Sequence, residues 1–108
     1  MVASDVRIVL VTAPDEGEAV DLCRTLIGER LVACGNIVGR VRSLYRWEGR
    51  IRDEAEFLLV LKTVESKVPD LLLRVPALHS YDVPEVLVLD VETGYEPYLS
   101  WLEAETVG

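Results

Sequence analysis

The chain has 108 residues, half of them hydrophobic, which suits one domain spanning 1–108 with a packed core. Its formal net charge of −8 argues against a nucleic-acid binder, which needs a basic footprint, and is compatible with cation binding as well as with simple solubility. No apolar run approaches the ~20 residues of a membrane span, no basic-then-apolar leader is seen at the N-terminus, and a cytoplasmic location with Cys23 and Cys34 as free thiols is expected.

Residues 6–13 read as a first strand, apolar on both alternating sets, with Ile8 and Leu10 against Val9 and Val11. Pro14 ends it. Asp15 is placed to cap a helix, with Glu18 three residues on to complete a capping box. Ala19, Leu22, Cys23, Leu26 and Ile27 then share one helical face. Residues 31–47 read as a second strand, bent at Gly35 or Gly39. Val41, Ser43, Tyr45 and Trp47 fall on one of its faces, and Arg40, Arg42, Leu44 and Arg46 on the other. Glu48-Gly49-Arg50 is a tight reversal into a third strand centred on 57–61 and ending at Lys62-Thr63.

Ser66 is predicted to cap a second helix, with Pro69 in its first turn and Pro76 kinking or ending it. Its apolar stripe is Val68, Leu71, Leu72, Val75 and Leu78. Residues 84–91 read as a fourth strand, again apolar on both faces, and 97–102 as a short terminal helix. The order βαββαβ predicts an α+β, ferredoxin-like antiparallel sheet with two helices on one face. Two helices cover only one face, while strands 1, 3 and 4 are apolar on both. The second face would be an exposed apolar patch too large for a soluble monomer, so it is expected to be buried against copies of the same chain.

Six segments carry a resemblance to a known family. They are Val11-Thr12-Ala13-Pro14-Asp15, Leu31-Val32-Ala33-Cys34-Gly35-Asn36-Ile37, Ser43-Leu44-Tyr45-Arg46-Trp47-Glu48-Gly49-Arg50-Ile51, Leu61-Lys62-Thr63, Leu78-His79-Ser80-Tyr81-Asp82-Val83-Pro84-Glu85 and Tyr98-Leu99-Ser100-Trp101. In this order and spacing the chain resembles the CutA divalent-cation-tolerance proteins from Ile8 to about Leu102. The resemblance implies a ferredoxin-like homotrimer, similar in architecture to the PII signalling trimers, with a role in divalent-cation tolerance and copper as the metal usually named. This chain has His79-Ser80-Tyr81-Asp82 where the family commonly has His-Pro-Tyr-Glu, and Gly35 where a residue such as Val commonly precedes the Asn. Ser80 is expected to loosen the backbone beside His79. The resemblance also implies copper ligands at three places, which here hold Val11, Leu78 and His79, so one of the three is retained.

Copper(II) accepts imidazole nitrogen and thiolate sulfur, which makes His79, the only histidine, and Cys34 the candidate ligands, with Asp82 or Glu85 supplying oxygen. No organic cofactor is implied. Tyr45, Trp47 and Tyr81, with Lys62 and Glu85, suggest an aromatic-lined cleft for a small ligand, in which Glu85 or Asp82 partners the lysine. On that reading the protein is a small-molecule sensor that docks on another protein. Cys34 as a nucleophile with His79 as its base is a third reading, but no oxyanion or phosphate loop accompanies it, and no enzyme is expected. The arginines 40, 42, 46, 50 and 52 are expected to pair with carboxylates across subunits.

Overall fold

The computed structural model describes residues 5–107. Its elements are β1 (Val6–Ala13), α1 (Glu16–Gly28), β2 (Cys34–Trp47), β3 (Arg50–Val64), α2 (Val68–Leu78), β4 (Val86–Asp90) and α3 (Glu96–Thr106). The strands form one sheet in the order β2-β3-β1-β4, antiparallel at every joint. That is the predicted ferredoxin-like arrangement.

Alternation along the strands divides the sheet into two faces. On one, Val9, Val11, Leu59 and Leu61 meet Leu22 and Leu26 of α1 and Leu71 and Val75 of α2 in a core with no solvent access to its centre. Cys23 belongs to that core, and its thiol is pushed up first by burial and then by Cys34. The other face carries Ile8, Leu10, Leu58 and Val60, all only half-buried. Leu87 is 54% exposed there and Leu89 45%. α3 covers just one end of this face, packing Leu99 and Leu102 on Val6 and Ala33. The sheet is therefore two-sided, and most of its second side is open.

Several local expectations change. β2 begins at Cys34 rather than at residue 31, because Leu31 first closes the end of α1 by donating its N–H to the Leu26 carbonyl at 3.0 Å. The bend falls at Gly39, where the register slips between Val38 and Val41. The Phe57 ring lies where a Cβ on Gly39 would stand, at 2.0 Å. Gly35 keeps regular register with Leu61, and its missing side chain admits the Cys23 thiol and Leu61, 2.6 and 2.7 Å from a Cβ there. The reversal forms at Glu48 and Gly49, both with positive φ (51° and 74°), as a tight hairpin requires.

Ser66 does not cap α2. It sits in a short 3-10 turn, Glu65–Lys67, and the helix starts after Lys67 without a side-chain cap bond. Pro76 does not end α2 either. The helix runs two residues further, and the His79 N–H closes its last turn on the Val75 carbonyl at 2.9 Å. So near a helix end, the missing proline donor removes only one bond. α3 runs to Thr106, beyond the predicted 102, because Thr106 turns its hydroxyl back to the Leu102 carbonyl at 3.0 Å.

Candidate functional site

The loop from His79 to Glu85 crosses the end of β1 between α2 and β4. His79 has a side chain with no solvent exposure. One ring nitrogen, Nε2, lies 2.7 Å from the Thr12 carbonyl oxygen, and the other, Nδ1, lies 3.0 Å from the Tyr81 N–H. A carbonyl only accepts and an amide N–H only donates. With Nε2 facing a carbonyl and Nδ1 an amide N–H, both ring nitrogens are engaged.

Glu18 does half of what a capping box predicts. Its N–H donates to Asp15 Oδ1 at 2.8 Å, but its carboxylate turns to the loop instead of back to Asp15. Glu18 Oε2 accepts from the Ser80 N–H at 3.0 Å and from Ser80 Oγ at 2.9 Å, and stands 3.4 Å from His79 Nδ1. Ser80 therefore tightens the backbone beside His79 rather than loosening it, using an N–H that a proline would lack.

Past His79 a ladder of tyrosine–carboxylate pairs runs onto the hairpin. The Tyr81 ring tilts against the His79 ring at 4.8 Å between centroids. Its hydroxyl donates to Oε2 of the buried Glu56 at 2.9 Å. One rung further, the Tyr45 hydroxyl donates to Glu54 Oε2 at 3.0 Å. Burial and then the Glu56 carboxylate hold the Tyr81 phenol far above its ordinary value. Partial burial and then Glu54 raise Tyr45 in the same way.

Cys34 lies elsewhere. It stands opposite Lys62, and Lys62 stands opposite Ile8, four residues along β1 from Thr12, a separation of about 13 Å. The Cys34 thiol is 3.5 Å from the Tyr98 hydroxyl. That contact first, and burial second, push the Tyr98 phenol up to about 12. Tyr98 stacks on Trp101. Lys62 takes Asn36 Oδ1 as its hydrogen-bond partner, not Glu85 or Asp82, which are both exposed.

Of the cleft residues predicted from sequence, the fold brings Tyr45 and Tyr81 together and sets Trp47 one rung beyond, opposite Arg50. Lys62 lies six residues from Glu56 along β3, about 20 Å away. Of the predicted metal set, His79, Cys34 and Asp82 do not come together. Among the described residues no three His, Cys, Asp or Glu side chains are grouped to hold a metal. The residues thus do not fit a copper site inside one chain: the imidazole has no free nitrogen, and Val11 and Leu78 offer no donor. Cys34 and His79 are likewise too far apart to act as nucleophile and base. The prediction missed Glu18, Glu56, Thr12 and Asn36. Glu56, a charge beside the apolar run 57–61, carried a readable signal; the Thr12 carbonyl carried none.

Residues 7–105 match the family model of the CutA1 divalent ion tolerance protein. The chain is 43% identical over 100 residues to the divalent-cation tolerance protein CutA of Thermus thermophilus, covering 93% of this chain and 97% of that protein. It is 39% identical over 105 residues to human protein CutA, covering 97% of this chain and 59% of that longer protein. The crystal structure of CutA1 from Oryza sativa superposes with a TM-score of 0.93 at 41% identity, covering 97% of this chain and 96% of that one. The family description favours cation tolerance over the small-molecule sensor. No helix among the described residues is long and apolar enough to cross a membrane. The chain belongs to the CutA1 family of divalent ion tolerance proteins.

Proposed function

We propose that this protein serves divalent-cation tolerance as a cytoplasmic homotrimer, without catalysing a reaction and without a resident copper centre built from His79. The family match supports the tolerance role, and the observation that carries the assembly is the open sheet face. Ile8, Leu10, Leu58, Val60, Leu87 and Leu89 form a continuous apolar surface that only α3 begins to cover. Each Å2 of it removed from water is worth roughly 25 cal/mol, and further copies of the chain supply a matching surface. Free thiols at Cys23 and Cys34 suit a reducing compartment.

The test couples assembly to tolerance. Cells expressing the wild-type chain or Leu10→Glu, a charge at the middle of the open face, are grown in raised copper(II). The variant is expected to be monomeric and to lose tolerance; full tolerance from a monomeric variant refutes the reading. A calorimetric titration with Cu2+ tests the metal side. Weak binding that survives His79→Ala is expected. Saturable binding at a fixed number per subunit, abolished in that variant, would make His79 a ligand.

A further inference from the structure

We infer that Arg52 forms an ion pair with a carboxylate of a second copy of this chain, so that the tyrosine–carboxylate ladder is completed only in the assembly. The inference rests on the homotrimer proposed above and names a polar contact within its interface.

Arg52 stands opposite Tyr45 on the hairpin. Its Nε is buried, and no hydrogen-bond acceptor reaches it among the described residues. A buried donor on a charged group that lacks an acceptor is costly, which calls for an acceptor beyond the described residues of this chain. The carboxylates nearest in sequence are already committed. Asp53 takes Arg42 Nε and Nη2 at 2.8 and 2.6 Å. Glu54 takes the Tyr45 hydroxyl and Glu56 the Tyr81 hydroxyl. Arg42 therefore does not pair across subunits through this contact, as the arginine-rich stretch had led us to expect; Arg52 is the member of that stretch left in need.

Two sources of acceptor are conceivable, a small free anion or a second protein chain. Glu54 and Glu56 oppose a free anion as much as a partner's carboxylate, but only the carboxylate is carried in by an apolar surface. A second copy is already drawn to this surface. Arg52 shares its side of β3 with Leu58 and Val60, because side chains two apart point the same way. The ladder is thus the continuation of the open apolar face, and a chain docked on one reaches the other. With 19 acidic residues against 11 basic ones, that chain has carboxylates to spare.

Subunit exchange between isotope-labelled and unlabelled protein, followed by native mass spectrometry, reads the contact. Arg52→Gln is expected to exchange at least ~10-fold faster than wild type, since losing one partner of a desolvated charge pair acts on dissociation. The wild-type rate should rise with salt, and the Arg52→Gln rate should not. Arg24→Gln, an equal charge change on the exposed side of α1, should exchange as wild type does. Arg52→Gln exchanging within twofold of wild type overturns the inference and leaves the trimer standing. Faster exchange with an unchanged salt response overturns the carboxylate as the partner. A wild-type chain that is monomeric throughout overturns the trimer itself.

Discussion

Replacing His79 separates a loop pin from a metal ligand. His79→Ala removes two hydrogen bonds, from Nε2 to the Thr12 carbonyl and from the Tyr81 N–H to Nδ1, and empties the space of a fully enclosed ring. Each bond is worth about 1 kcal/mol net, and the groups left without partners and the cavity add to that, for a loss of about 2–4 kcal/mol. His79→Gln can place an amide N–H near the position of Nε2 and should recover roughly 1 kcal/mol of it. The assay is urea unfolding at one fixed protein concentration, because stability in an oligomer depends on concentration, with Cu2+ binding measured on the same samples. Stability is expected to fall while copper binding stays the same. If His79→Ala is as stable as wild type but loses copper, the ring was free to bind metal and the reasoning fails.

Gly39→Ala should cost about 1–3 kcal/mol, because its Cβ would stand in the Phe57 ring and must push it from the bend; an unchanged melting temperature would contradict that packing. Stability should fall as pH rises above 10. An unfolded Tyr98 loses its proton near the ordinary value of 10.0, whereas the folded phenol keeps it up to about 12. Between those values the unfolded chain binds fewer protons and is favoured. Tyr81 pushes in the same direction. Spectroscopic titration should show these two phenols ionising late, and Tyr98→Phe should flatten the alkaline loss.

The strands of the body were legible because their β-branched residues are apolar in both registers. The same pattern foretold the open face, since Ile8 and Leu10 had no helix to meet. The hairpin was harder to read. Arg50 to Glu56 is mostly charged, and the apolar run marked only the strand's centre at 57–61, yet this stretch pairs in unbroken register with Val41 to Trp47, because backbone hydrogen bonds need no apolar alternation. What the sequence hides most is choice of partner. Glu18 reaches Ser80 across 62 residues, and His79 reaches the Thr12 carbonyl across 67. Either residue is equally consistent with a local cap or a metal ligand until the chain is folded. Lys62 shows the same limit: two nearby carboxylates in the Asp82–Glu85 stretch looked suitable, but strand pairing puts Asn36 within its reach.

The most direct test of the account is the mass of the wild-type chain in solution, by size exclusion with light scattering. The proposed homotrimer predicts a particle three times the 12.1 kDa of one chain, unchanged on dilution. A stable particle of 12.1 kDa would mean that water tolerates that face, and the reading of this protein as an assembly would be wrong.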